Sequence, residues 1–199
     1  KIFKHVSDKE KSILAYASGL LKWNQRTNYC SACGGKTITE DFGHSRICSD
    51  DDCNIQFFPQ IAPAVIALLE CHPKNGPSKC LLQTKEYQGK MMCSTFAGFV
   101  EVGESLEDAL KRELKEEVDV EIINSQYINS QPWSFTSSRM VGYHAEVNSL
   151  HYKVDGKEIK NAKWFTAEEL KNLLLEDKIQ LSLPDSIARY LIEIWINKN

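Results

Sequence analysis

Four cysteines set the first constraint on the fold. Cys30 and Cys33 have two residues between them, Cys48 and Cys53 have four, and fourteen residues separate the pairs. The surrounding segment, 28–55, is dominated by Cys, Gly, Thr and Asp and offers little apolar surface to bury. A stretch that poor in core residues needs a staple. Zinc takes four tetrahedral soft ligands, and two close pairs on two turns supply them. Gly34-Gly35 lets the first turn tighten around the metal. We therefore expect a zinc ribbon in which Cys30, Cys33, Cys48 and Cys53 hold one structural zinc, since a closed four-thiolate site leaves no position for substrate. Four unrelated buried thiols would need a core that this segment lacks. His44 could replace one thiol, although four already complete the site. Asp50-Asp51-Asp52 resembles part of a calcium loop, but the glycine and the distal glutamate are absent; a solvated turn accounts for it.

The remaining cysteines, Cys71, Cys80 and Cys93, sit singly among apolar or mixed neighbours and read as core packing rather than thiol catalysis. An odd total of seven suits a reducing compartment with one metal site better than a disulfide framework. The 199 residues carry 24 Lys plus Arg against 27 Asp plus Glu, a net charge of −3, with 42% hydrophobic residues. That composition supports a full core and argues against disorder. No apolar run approaches the ~20 residues of a membrane helix. A mildly acidic chain is no generic binder of phosphate backbones, so nucleic acid would be recognised at an end or as a nucleotide. The chain starts at Lys1, so a missing address signal has little weight. The expectation from cysteine usage is an intracellular protein.

Residues 8–26 read as a helix capped by Ser7 or Asp8, with Ile13, Leu14, Ala17, Leu20, Leu21 and Trp23 on a mostly one-sided apolar face. Strands are expected at 61–69, 79–84, 120–131 and 140–147, a loop at 72–78, a glycine-containing loop at 96–103, and helices at 105–118, 167–177 and 184–198. Strands alternating with a few helices give an α/β (α+β) core behind a small metal module. The domains implied are an N-terminal helical segment at 1–27, a zinc ribbon at 28–57 and a catalytic domain at 58–199.

The helix at 105–118 carries the strongest chemical signal. Ser105 followed by Asp108 is a capping-box pattern. At about 100° per residue, with Leu106 at zero, Leu110 falls near 40°, Ala109 near 300°, Glu113 near 340°, Glu117 near 20° and Glu116 near 280°. Glu113 and Glu117 thus point inside the apolar stripe, while Glu107, Asp108, Lys111 and Lys115 occupy an ordinary solvated face. Two unpaired carboxylates turned inward one turn apart repel and are costly to desolvate. A cluster of hard oxygen ligands is what Mg²⁺ or Mn²⁺ requires. Arg112, at the helix edge, can hold Glu104 or a metal-bound carboxylate in place.

The run Gly98-x5-Glu104-x7-Arg112-Glu113-Leu114-Lys115-Glu116-Glu117-Val118-Asp119-Val120 resembles the Nudix box. It departs at Asp119, where that family has Gly; Asp adopts the left-handed conformation needed there at a modest penalty. The resemblance implies a Nudix fold, a mixed β-sheet packed between helices, that hydrolyses a nucleoside diphosphate linked to another group. Ser130-Gln131-Pro132-Trp133-Ser134-Phe135-Thr136-Ser137-Ser138 resembles the signature of the NADH pyrophosphatase subfamily, with Ser134 and Thr136 in place of two prolines. The zinc ribbon just before the core and Pro184-Asp185-Ser186-Ile187-Ala188-Arg189 resemble further features of that subfamily. The match runs from about Leu20 to Trp195.

This resemblance implies hydrolysis of NAD(H) to nicotinamide mononucleotide plus AMP. On NAD-capped RNA it implies nicotinamide mononucleotide plus 5′-monophosphate RNA. It implies a homodimer whose partner chain completes the nucleotide pocket. Glu113, Glu116 and Glu117 are expected to hold catalytic Mg²⁺ or Mn²⁺, with Glu117 accepting the proton of the attacking water. The carbonyl of Ala97 and the carboxylate of Glu158 are expected to add metal ligands by resemblance. Phe58, where the family commonly has Tyr, and Phe99 could stack on the nicotinamide ring. Gly98, Ser134, Phe135, Thr136, Ser137, Ser138, Arg139, Met140, Val141 and Ala188 complete the expected substrate contacts, and Gln131 and Trp133 buttress that loop. A Nudix enzyme for ADP-ribose, diadenosine polyphosphates or another cap is the alternative within catalysis. A zinc-ribbon module that binds RNA or protein without catalysis is the alternative outside it, and the intact set of box carboxylates argues against it. No basic track is apparent, so RNA beyond the first nucleotides should add little affinity.

Overall fold

The computed structural model describes residues 7–133 and 137–199. The chain divides into two compact units, one of residues 1–62 and 132–139, the other of residues 63–131 and 140–199. Among the described residues no helix is long and apolar enough to cross a membrane.

The first unit begins with α1 (Asp8–Arg26), whose N-terminus is closed by a complete Ser7–Glu10 capping box. Three short antiparallel strands follow, β1 (Thr37–Glu40), β2 (Ser45–Cys48) and β3 (Gln56–Phe57), in the order β1-β2-β3. Arg46 ties helix to ribbon: it is buried and donates to the Thr37 carbonyl and hydroxyl, to Thr39 and to Asn24 Oδ1 on α1. The Asn24 amide in turn donates to the Gly43 carbonyl at 2.8 Å. On α1, Ile13, Leu14 and Leu21 of the apolar stripe are exposed among the described residues, whereas Leu20 and Trp23 are partly buried.

The second unit is built on an eight-stranded sheet. Its main order is β11 (Ile179–Leu181), β6 (Lys90–Ser94), β5 (Lys79–Tyr87), β4 (Ala62–Cys71), β9 (Ser138–Val147) and β8 (Ile122–Trp133). β10 (Ala162–Thr166) pairs with β5, and β7 (Phe96–Phe99) pairs with β4. The β11–β6 pair is parallel, making the sheet mixed. β4 reads as a continuous apolar run because both of its faces are buried. Val65, Ala67 and Leu69 join a core with Ala109, Leu110, Leu114 and Val118 of α2 (Leu106–Val118). Ile66 and Leu68 join a second core with Leu170 of α3 (Ala167–Leu175) and Leu191, Ile192 and Trp195 of α4 (Ile187–Lys198). Helices therefore cover both faces of the sheet, the mixed α+β architecture expected. Cys71, Cys80 and Cys93 are buried core residues, and burial pushes the Cys93 thiol up to about 11.

Several elements differ from the sequence expectation. Phe96–Phe99 is a strand rather than part of a loop; it pairs antiparallel with β4, Val65 opposite Gly98. The β6 segment contains no β-branched or aromatic residue and gave no strand signal. Its pairing is imposed by the two-residue hairpin Gln88-Gly89, both at positive φ (51° and 76°), which sets Tyr87 opposite Lys90. The last helix starts at Ile187, with Ser186 as its N-cap. At α2, Ser105 accepts from the Asp108 N–H, but its hydroxyl also donates to the Asp108 carboxylate, so the reciprocal half of a capping box is not made.

Candidate metal and catalytic site

The four ribbon cysteines converge. Their sulfurs lie within 4.8 Å of one another, with Cys30 to Cys53 at 3.7 Å and Cys33 to Cys48 at 3.4 Å. Four sulfurs at ~2.3 Å from one tetrahedral ion would stand about 3.8 Å apart, whereas a disulfide needs ~2 Å. The spacing suits a shared metal ion. The first turn closes through Cys30 N–H to Gly35 O (2.7 Å) and Gly34 N–H to Cys30 O (2.9 Å), with Gly34 at φ +77°. The Cys33 backbone N–H pulls the Cys30 thiol down to about 7. At Cys53 the Ile55 N–H pulls the same way, but the neighbouring thiols and burial outweigh it and raise Cys53 to about 12. Four thiols this close cannot all ionise without a cation. His44 is turned elsewhere, paired with the Tyr16 hydroxyl and the Asp41 carbonyl. Asp50 caps its own turn, accepting from the Asp52 N–H.

In the second unit, α2 carries the box carboxylates. Its buried face is Ala109, Leu110, Leu114, Glu117 and Val118, so one glutamate lies in the apolar stripe itself. Glu117 is 6% exposed, and among the described residues its Oε2 has no hydrogen-bond partner. Burial, reinforced by the charges of Glu113, Glu158, Asp155 and Glu116, lifts its carboxyl to about 8. A buried carboxylate that lacks a partner among other carboxylates is costly, and a cation is the group that relieves it.

Glu113 lies against Gly98. A Cβ at residue 98 would stand 1.8 Å from the Glu113 carboxyl carbon and 2.1 Å from each of its oxygens. Gly98 is therefore required for close approach of strand and carboxylate rather than for a turn. Ala97 and Phe99 flank it on β7, and Arg112 donates to the Phe99 carbonyl at 2.9 Å. Arg112 also forms a bidentate pair with Glu104 (2.6 and 2.9 Å) and reaches Glu113 at 2.8 Å and Glu116 at 3.3 Å. That pairing, with the Glu101 N–H, holds the Glu104 carboxyl down at about 2. Glu116 is exposed. Among the described residues only the cysteines bring three or more ligand atoms within 4.8 Å, so the box carboxylates are gathered around Arg112 and Glu117 without forming a closed cage.

The helix ends where the sequence suggested. Asp119 adopts φ 55°, ψ 42°, and its carboxylate pairs with Lys115 at 2.7 Å. Beyond it, the loop carrying Glu158 is stitched to the last turn of α2, Lys153 N–H to Val118 O at 2.9 Å and Asp155 N–H to Glu117 O at 3.0 Å. This brings Glu158 near enough for its charge to act on Glu117. Asp155 was not singled out in the sequence; Asp155-Gly156 signals only a turn.

The expected substrate contacts are distributed over both units. Phe58, Ser137, Ser138 and Arg139 belong to the first, and Ala97, Gly98, Phe99, Met140, Val141 and Ala188 to the second. Phe58 and Phe99 are both exposed, whereas Ser138, Val141 and Ala188 are buried. Ser134, Phe135 and Thr136 lie outside the described residues. Gln131 braces the start of α4: its amide donates to Asp185 O at 2.6 Å and accepts from Ile187 N–H at 2.8 Å.

Comparison with known proteins agrees with this geometry. The NUDIX domain model matches residues 61–186. The chain is 37% identical over 203 residues to the NAD-capped RNA hydrolase NUDT12 of Homo sapiens, covering 98% of this chain and 43% of that protein. It is 34% identical over 184 residues to the NAD-capped RNA hydrolase NudC of Pseudomonas aeruginosa, covering 92% of this chain and 61% of that protein. The chain thus spans about half the length of these curated relatives. In fold, it is similar to a NUDIX hydrolase from Nitrosomonas europaea, with a TM-score of 0.53 at 20% identity over 86% of this chain and 92% of that one. The box carboxylates on α2, the helices on both faces of a mixed sheet and the matched domain lead to one assignment: the chain belongs to the NUDIX family.

Proposed function

We propose that this chain hydrolyses the pyrophosphate of NAD(H), giving nicotinamide mononucleotide and AMP, and of the NAD cap of RNA, giving nicotinamide mononucleotide and 5′-monophosphate RNA. The observation that carries the hydrolytic reading is Glu117, a buried carboxylate with an unpartnered oxygen in the field of Glu113, Glu116 and Glu158. The substrate class is supported by the relatives, which are named NAD-capped RNA hydrolases.

In this reading Glu113, Glu116, Glu117, Glu158 and the Ala97 carbonyl hold Mg²⁺ or Mn²⁺. Such ions, when bound, neutralise charge on the pyrophosphate oxygens and lower the pKa of a water. The chain's own groups do the rest. Glu117, ionised once the neighbouring cation is bound, takes the proton of the attacking water. Arg112, fixed by Glu104, orients Glu113 and Glu116. Phe99, exposed on β7, offers a ring face for the nicotinamide. Gly98, Met140, Val141 and Ala188 supply further contacts with the dinucleotide.

The ribbon metal is zinc, held by Cys30, Cys33, Cys48 and Cys53. A second copy of the chain completes the nucleotide pocket, and the exposed Ile13, Leu14 and Leu21 offer apolar area that such a partner could cover. The boundaries we favour remain 1–27, 28–57 and 58–199. The test is product analysis with NADH and NAD-capped RNA, with and without Mn²⁺. Metal-dependent nicotinamide mononucleotide from the wild type and none from Glu117→Gln supports the proposal. Cleavage of ADP-ribose or diadenosine polyphosphates but of neither NAD substrate overturns it.

A further inference from the structure

We infer that Asp155 is a positioning residue for the cation site, fixing the turn that presents Glu158 to Glu117. The inference rests on reading the box carboxylates as a cation site. The turn is anchored at both ends and held in the middle by one side chain. At its start, Lys153 and Asp155 donate their N–H groups to the carbonyls of Val118 and Glu117. At its end, Ile159 is buried in the same core as Leu114 and Val118. Between them the Asp155 carboxylate accepts three backbone N–H groups, from Lys157 (3.1 Å), Glu158 (2.9 Å) and Ile159 (2.9 Å). Gly156, at φ 71°, allows the chain to fold back over that carboxylate.

A carboxylate inside such a turn is commonly a local cap and nothing more. What points further is Glu117, 6% exposed with Oε2 unpartnered, on the same turn of helix that receives the Asp155 N–H. Glu158 is solvent-exposed, and its backbone N–H is held by the Asp155 carboxylate. Without Asp155, residues 156–158 would sample many conformations, and Glu158 would face a bound cation only part of the time. Asp155 therefore acts through Glu158 and through geometry, not as a ligand.

The experiment is Mn²⁺ binding to the full chain, followed without substrate by the electron paramagnetic resonance signal of free Mn²⁺. Asp155→Ala should weaken binding by about tenfold, in the range seen when a ligand's supporting partner is removed. Asp155→Asn, which keeps an acceptor oxygen, should recover part of that loss. Glu158→Gln should weaken binding, and the double variant Asp155→Ala/Glu158→Gln should bind no more weakly than Glu158→Gln alone. Four results would each overturn the inference: wild-type binding by Asp155→Ala, wild-type binding by Glu158→Gln, equal losses in the Ala and Asn variants, or losses that add in the double variant. Since no nucleotide is present, these outcomes are independent of whether NAD is the substrate.

Discussion

Replacing Glu117 with Gln should stabilise the protein at alkaline pH when no Mg²⁺ or Mn²⁺ is present. Burial first, and the Glu113 charge next, raise the Glu117 carboxyl from its ordinary 4.5 to about 8. In the unfolded chain that proton leaves near 4.5; in the folded chain it is held to about 8. Between those values the folded state binds more protons, so stability falls as pH rises through this window and levels off above it. At ~1.4 kcal/mol per pH unit, the distance from 4.5 to about 8 corresponds to about 5 kcal/mol. Relaxation and water entry reduce this, and a loss of about 2–4 kcal/mol is the working expectation. Glu117→Gln has no proton to lose there. Urea unfolding between pH 4 and pH 9, with the ribbon metal retained, should show the variant more stable than wild type by that amount at pH 9 and close to it at pH 4. Added Mn²⁺ should stabilise the wild type at pH 9 far more than the variant. A variant less stable than wild type at pH 9, or one with the same pH slope, would refute the reasoning.

Gly98→Ala would drive a methyl group into the Glu113 carboxylate, 1.8–2.1 Å away. It should cost about 100-fold in metal-activated turnover, as displacements of ~1 Å do, with the fold retained by circular dichroism. Cys53→Ser should lower bound zinc well below one per chain and increase proteolysis of the 28–57 segment, since a segment so poor in core depends on its metal. Gln131→Ala removes two hydrogen bonds at the start of α4 and should cost about 1–3 kcal/mol in urea unfolding. Asp119→Gly relieves a left-handed non-glycine residue but loses an exposed pair with Lys115. The net gain should be below about 1 kcal/mol, measured in the same way.

What could be read from the sequence was what local periodicity and ligand spacing encode. The helix angles placed Glu117 in the apolar stripe, and the structure buries it there. The paired cysteine spacing anticipated four converging sulfurs. Asp119 was expected to be left-handed and is. The misreadings arose where a tertiary neighbour decides the conformation. Gly98 looked like a loop residue, yet it is a strand residue kept small by a side chain that is fifteen positions away. The β6 strand depends on its hairpin turn and partner rather than on its own residues. Asp155 carried no pattern beyond a turn, because its meaning comes from the docking of its loop on α2. The α1 stripe was legible as apolar, but nothing in its periodicity says what covers it.

The most direct test of the central claim is to incubate the full chain with NADH and with NAD-capped RNA in Mn²⁺ and identify the products, beside Glu117→Gln. The account predicts nicotinamide mononucleotide from both substrates with the wild type, in metal only, and none above background with the variant. No cleavage of either substrate by zinc-loaded, folded wild type in Mn²⁺ would contradict it, as would undiminished cleavage by Glu117→Gln.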